Sequence, residues 1–143
     1  MKGAPGQDLA ALRRTAELYA LGADTRDKEL WRQVLAAECV IEGPGFRTEG
    51  IDQCLGSIDG LTQMFRRTRH RVDHLAVTVE GDGARGETWA SAEHLMPERD
   101  ELLVWAIRYQ DSWRRANGAW LFTRRHIELD WQELRPVLPE FAS

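Results

Sequence analysis

Cysteine is scarce in this chain, with two residues, Cys39 and Cys54, in 143. Two thiols cannot build a disulfide framework, and with no secretory leader they read as free, buried side chains of a reducing compartment. The opening Met1-Lys2-Gly3-Ala4-Pro5-Gly6 has no apolar segment of the kind a signal peptide needs, so residues 1–6 are expected to form a disordered leader. No apolar run approaches the ~18 residues of a membrane span, and the expected location is cytoplasmic, with no membrane partner. Surplus positive charge is missing too. The net charge is −4, which offers no general attraction for nucleic acid or an anionic membrane. The local basic group Arg66, Arg67, Arg69 and Arg71 reads as a solvated strand edge or an interface with acidic groups. There is no Gly-rich phosphate loop, no Gly-x-Ser-x-Gly elbow and no His-x-x-x-His on a helix. No cofactor and no metal are therefore expected.

What is present is ordinary for one globular domain: 43% apolar and 29% charged residues. Six tryptophans stand out and point to a core or cavity lined with large flat side chains. Leu9, Leu12, Ala16, Tyr19 and Ala20 recur at helical spacing from residue 7, with Gly22 as the expected stop. A turn or cap at Asp24-Thr25-Arg26-Asp27 precedes a second helix carrying Leu30, Trp31, Val34 and Leu35. A short strand follows at 38–42, a possible return at 46–49, and a third helix at 50–65. The pattern then changes to four long strands, near 67–80, 84–96, 101–115 and 119–131, the last two joined by an Asn117-Gly118 hairpin. The domain is expected over 7–132, with 133–143 a proline-rich tail. Three helices before four antiparallel strands make an α+β domain.

The first long strand opens Thr68-Arg69-His70-Arg71-Val72-Asp73-His74. His70 and His74 are four apart, which places them on one face of a regular strand. Histidine exchanges protons best near neutral pH, so the base is expected here, with Asp24 and His94 converging on it. On the next strand Thr88, Ala90, Ala92 and His94 share a face. Small residues around a histidine either leave room for a ligand or let a helix pack closely. On strand three, Trp105, Ile107, Tyr109, Asp111 and Trp113 alternate together. Ile107 and Tyr109 are expected to point inward with Thr88, Ala90 and His94. The opposite rows, with Trp89 among charges, read as an interface with a mixed rim.

The order of these elements resembles the nuclear transport factor 2-like (SnoaL-like) superfamily, and within it the scytalone dehydratase-like group. The resemblance covers about residues 8–132. It rests on Asp24-Thr25-Arg26-Asp27, on Thr68-Arg69-His70, on His94, on Asn117-Gly118-Ala119-Trp120-Leu121-Phe122 and on Trp131. It implies a cystatin-like cone: three N-terminal helices on a strongly curved, mainly antiparallel sheet enclosing a pocket. It also implies an Asp-His pair at Asp24 and His70, a second histidine at His94, and a tyrosine five residues before the aspartate at Tyr19. Two departures stand out. The tyrosines that polarise the substrate carbonyl in scytalone dehydratase fall at Ala23 and Gly43, and two polar residues of its third strand fall near Ile107 and Tyr109. Scytalone itself is thereby disfavoured as substrate, and the carbonyl-activating group is unassigned.

Elimination of water beside a carbonyl needs a base for the α-proton and an acid for the leaving hydroxyl, and one imidazole can be both in turn. A carboxylate on one ring nitrogen fixes the tautomer and stabilises the imidazolium. These are the roles expected of Asp24 toward His70, although an aspartate between helices often only caps. His94 is either a second acid-base group or a satisfied core histidine, and Tyr19 either a hydroxyl donor or core packing. Trp105, Ile107, Tyr109, Thr88 and Ala90 are the expected substrate-binding wall. The resulting expectation is a small cofactor-independent lyase, a dehydratase of a hydrophobic cyclic hydroxy-carbonyl compound. An isomerase, an epoxide hydrolase or a non-catalytic binding or dimerisation module are the alternatives. A homo-oligomer is expected, a trimer by resemblance with a dimer as the alternative, and no nucleic-acid partner.

Overall fold

The computed structural model describes residues 5–138. Helix α1, Gly6–Thr25, buries Leu12, Ala16, Tyr19, Ala20 and Ala23, the stripe its spacing dictates. It does not stop at Gly22. It runs another turn and closes at Arg26, in the left-handed region at φ 57° and ψ 40°, with Asp27 N–H returning to Gly22 O at 2.8 Å. The glycine serves packing instead: a Cβ there would lie 2.5 Å from Trp31 Cδ1. The Trp31 indole N–H donates to Tyr19 O at 2.9 Å and so locks α1 to α2, Lys28–Val34. Asp27 is the cap of α2, its Oδ1 accepting from Leu30 N at 3.1 Å. Asp24, one turn earlier, is left for other work.

Strand β1, Leu35–Gly43, turns through Pro44-Gly45 into β2, Phe46–Glu49, and α3 spans Ile51–Met64. Then come β3, Arg67–Glu80, β4, Gly83–Leu95, β5, Glu101–Ala116, and β6, Ala119–Pro136. The sheet is open, in the order β2-β1-β6-β5-β4-β3. All pairs are antiparallel except β1 with β6. Strand β6 passes the expected end at 131, because Glu133–Pro136 pair with β5 at Glu101–Val104. Proline is tolerated there as the last strand residue. Residues 1–4 of the expected leader and 139–143 of the tail lie outside the described residues. No described helix is long and apolar enough to cross a membrane.

The helices cover one face of the sheet. Leu75 and Val77 of β3, Trp113 of β5 and Phe122 of β6 meet Leu12, Ala16, Tyr19 and Ile58 in the main core, which also holds the free thiols Cys39 and Cys54. Ala90, Ala92, Ile107 and Tyr109 form a second cluster with Trp105 and Leu129, and Ile127 packs against both clusters. In β3 and β6 bulges break the alternation, at Asp73 and at Thr123 and Asp130, and β1 shifts register against β6 between Leu35 and Val40. Each bulge flips the parity of everything after it. The first overturns the expectation that His70 and His74 share a face. Val72 still pairs inward with Ala90, but His74 pairs with Trp89 on the outer face, its ring 6.1 Å from that indole.

One position in the sheet admits no side chain. A Cβ at Gly86 would overlap the Ala76 carbonyl oxygen and come 2.6 Å from Val77 Cα, both backbone atoms of the paired strand. Gly86→Ala is expected to lower stability by roughly 3 kcal/mol. Gly56, in α3 with nothing near its Cβ direction, should do the opposite, and Gly56→Ala should add about 0.5–1 kcal/mol. Urea unfolding of the two variants checks both signs.

Candidate active site

The end of α1 and the start of β3 meet at one carboxylate. Asp24 Oδ1 lies 2.6 Å from His70 Nδ1, and Asp24 Oδ2 accepts from the His70 backbone N–H at 2.7 Å. Thr68 Oγ1 donates to Oδ1 at 2.9 Å. The geometry follows from the extra turn of α1, which carries Asp24 beside the strand. It follows also from β3 parity, which turns Thr68 and His70 inward. With Nδ1 bound to the carboxylate, Nε2 is the ring nitrogen left to exchange a proton. Both side chains keep some exposure, 11% for His70 and 19% for Asp24.

His94 joins them from β4. Its ring centroid lies 6.0 Å from that of His70, edge to face, and it is enclosed by Phe65 at 4.5 Å and Trp105 at 4.7 Å. Its Nδ1 is 2.8 Å from Leu103 O. A carbonyl only accepts, so Nδ1 carries the hydrogen and Nε2 is an acceptor. Burial lowers the imidazole to about 4. It is therefore neutral near pH 7, with an acceptor nitrogen beside His70.

That burial has a consequence for stability. The unfolded chain takes up a proton at His94 near pH ~6.5, whereas the folded protein does so only at about 4. Between these values the unfolded state binds more protons, so stability falls as pH drops through the window, by on the order of 3 kcal/mol. His94→Gln should flatten that part of the profile. Urea midpoints between about pH 7 and 4 test it, and an unchanged slope in the variant would refute it.

The expected binding residues all face inward. Thr88, Ala90, Ile107 and Tyr109 are buried, and Trp105 is half-buried with its indole N–H on Gln132 Oε1 at 3.1 Å. Their surroundings differ from an open wall lined by small residues. Ala90, Ala92, Ile107 and Tyr109 pack on one another, so the small residues mainly allow close packing. Thr88 is committed to a partner, its Oγ1 donating to Asp111 Oδ2 at 2.7 Å. Tyr19 stacks on Trp31 at 4.4 Å, as core packing requires. Neither its hydroxyl nor that of Tyr109 hydrogen-bonds to a described residue. Burial raises both phenols above their usual range, so both are protonated donors.

The sequence reading did not foresee a buried ion pair behind these tyrosines. Arg125 Nε and Nη2 donate to Asp111 Oδ1 and Oδ2 at 2.8 and 3.0 Å, a bidentate fork. The guanidinium lies 3.6 Å from the Tyr109 ring centroid, 4.1 Å from Phe122 and 4.4 Å from Tyr19. Burial pushes the Asp111 carboxyl up, and Arg125 and Thr88 pull it back. Burial is the largest single influence on Arg125 and depresses it, but the charge and hydrogen bonds of Asp111 together with the two tyrosines hold the guanidinium above its usual value. A signal existed: Asp111 is the lone charge in the inward row Trp105, Ile107, Tyr109, Asp111, Trp113. Its partner was hidden by the bulge at Thr123.

Two cavities, of about 490 and 380 Å³, lie on the opposite face of the sheet. The larger is lined by Trp89, Ser91, Ala106, Arg108, Asp130 and Trp131 among others. Trp89 and Trp131 are 46% and 68% exposed.

Fold and site now stand beside known proteins. The profile of the SnoaL-like domain family matches residues 6–126. The chain belongs to the SnoaL-like family. No curated protein sequence matches it. Among solved structures, this SnoaL-like chain is similar to a Novosphingobium aromaticivorans protein assigned as a scytalone dehydratase, with 20% identity, TM-score 0.80 and 95% of each chain covered. It is similar also to the hexachlorocyclohexane dehydrochlorinase LinA-type3 of Novosphingobium barchaimii, with 15% identity, TM-score 0.82, and 94% of this chain and 96% of that one covered. A Nostoc punctiforme protein with a cystatin-like fold matches at 18% identity and TM-score 0.76, over 90% and 96% of the two chains. At these identities the likeness shows the shared fold. The three helices on a curved mixed sheet are that fold, as the sequence reading expected.

Proposed function

We propose that this SnoaL-like protein is a small cofactor-independent lyase that removes water from a hydrophobic cyclic hydroxy-carbonyl compound. The observation that carries the reading is the 2.6 Å contact of Asp24 with His70 Nδ1. It leaves Nε2 as a base whose conjugate acid is stabilised by the carboxylate. His70 takes the α-proton and returns it to the leaving hydroxyl. His94, neutral and with Nε2 accepting, holds that hydroxyl without protonating it. The Tyr109 and Tyr19 hydroxyls supply the carbonyl donor that the departures at Ala23 and Gly43 left unassigned. The Arg125 charge, 3.6 Å from the Tyr109 ring, partly offsets the burial that raises that phenol. Neighbours of the same fold that bear the names dehydratase and dehydrochlorinase are named for eliminations, which supports a lyase over a binder. Isomerisation by the same pair would differ only in where the proton returns.

The test is to incubate the protein with a panel of cyclic β-hydroxy-ketones and follow the conjugated enone by absorbance and the loss of water by mass. A product of unchanged mass would replace the lyase reading by an isomerase. No turnover across the panel, with ligands still bound, would favour a binding module.

The outer face is proposed as the contact between copies, in a trimer. The exposed indoles of Trp89 and Trp131 flank Arg108, which is tied to Asp130 at 2.8 Å, an apolar centre with a charged rim. Light scattering at micromolar concentration should give a trimer mass, and Trp131→Arg should reduce it toward the monomer. A monomer mass for the unchanged protein would overturn this.

A further inference from the structure

Two residues near the Asp24–His70 pair have no role in the reaction as described, although both belong to the short motifs singled out in the sequence. Arg26 holds the left-handed position that closes α1. Its Nη1 donates to the Ala23 carbonyl and, at 2.7 Å, to Thr68 Oγ1. Thr68 Oγ1 in turn lies 2.9 Å from Asp24 Oδ1.

We infer that Arg26 and Thr68 are positioning residues that set the tautomer of His70; as a contribution to catalysis, this rests on the lyase reading above. The argument is one of donors and acceptors. A guanidinium has no lone pair to offer, so Thr68 Oγ1 must accept from Arg26. A hydroxyl has one hydrogen, and with its acceptor side occupied by Arg26 that hydrogen points at Asp24 Oδ1. The His70 backbone N–H takes Oδ2 at 2.7 Å. The carboxylate, an acceptor whatever surrounds it, thus receives a fixed donor at each oxygen and is held in orientation with Oδ1 on the ring. His70 Nδ1 must then carry the hydrogen, and the lone pair is on Nε2, the nitrogen that does the proposed chemistry. Without Arg26 the Thr68 hydroxyl is free to turn. Without the hydroxyl, Oδ1 loses a donor, and the carboxylate is oriented by the His70 backbone and ring alone. The αL backbone of a non-glycine residue fits this role, since φ 57° at Arg26 brings its side chain back over the helix end toward β3.

The experiment reads the tautomer directly and needs no substrate. Long-range ¹⁵N–¹H spectra of the labelled protein distinguish an Nδ1–H from an Nε2–H imidazole at His70. The unchanged protein should show Nδ1–H alone. Thr68→Val and Arg26→Met should each give a mixture, or exchange-broaden the Nδ1 proton, while Thr68→Ser restores the single form. Arg26→Met keeps the side-chain stem at a half-buried site, so it stands in if Thr68→Val fails to fold. With a substrate in hand, Thr68→Val should lower kcat by roughly 10- to 100-fold, the range for losing a group that orients a histidine, with little change in KM. A single Nδ1–H form persisting in both variants overturns the inference. A tautomer change with Ser rescue supports it even if the substrate panel shows no lyase activity, so the two readings fail separately.

Discussion

His70→Ala should abolish nearly all turnover while leaving ligand binding largely intact. The substitution removes the ring whose Nδ1 rests on Asp24, at 2.6 Å, and so removes the proposed base without touching the apolar wall. Asp24→Asn should be almost as severe. An amide keeps the size but can turn its NH₂ toward the ring, which favours the wrong tautomer, a change that costs about 10⁴-fold in the serine-protease triad. It also exposes the three donors now directed at the carboxylate, from Thr68, the His70 backbone and the ring, to a group that cannot accept from all of them. The double variant should lose little more than the worse single one, because the pair acts as a unit. His94→Ala should be milder, and its penalty should shrink for a substrate whose leaving group forms no hydrogen bond. Turnover of each variant on the same substrate decides the matter. Near wild-type rates in His70→Ala would sink the mechanism and leave the fold untouched.

The largest effect on stability is expected behind the site. Asp111→Ala would strand the Arg125 guanidinium, 1% exposed, among three aromatic rings with no counter-charge. Breaking a buried pair from one side typically costs about 3–5 kcal/mol. That is a large fraction of the ~5–15 kcal/mol total stability usual for one domain. Arg125→Met should cost a comparable amount by stranding the carboxylate. It also releases the Thr88 bond from the network it completes at 2.7 Å. The double variant Asp111→Ala with Arg125→Met removes both charges, and its loss should be far below the sum of the singles. Urea unfolding of the four proteins gives the coupling energy. Additive losses, or an Asp111→Ala variant within about 1 kcal/mol of the parent, would show that the pair is not the closed unit its geometry describes. The comparison bears on function too: a stable double variant with weakened turnover would separate the field acting on Tyr109 from mere support of the fold.

Much of this protein is written in local pattern. Apolar residues at helical spacing dictated α1 and α3, and alternation dictated the faces of β4 and β5, because those two strands pair over their whole length without a bulge. Ile107 and Tyr109 therefore face inward with Thr88, Ala90 and His94, as alternation requires. Asp24 and His70 were legible for a different reason: the resemblance paired an aspartate after the first helix with a histidine at the start of the first long strand. Other features depend on contacts remote in sequence. The bulges at Asp73, Thr123 and Asp130 answer to the curvature of the sheet, and no local pattern announces which residue will be the extra one. One of them turns His74 outward, and another turns Arg125 inward to meet Asp111. The stop expected at Gly22 was instead a seat for Trp31, a constraint set by a residue on another helix. The neutrality of His94 arises from Phe65, Trp105 and the Leu103 carbonyl closing around it, since a side chain's charge depends on what excludes water from it. Propensity and periodicity act within a few residues along the chain and so determined the elements. Parity after a bulge, burial and proton affinity act across the fold, and only the tertiary structure decided them.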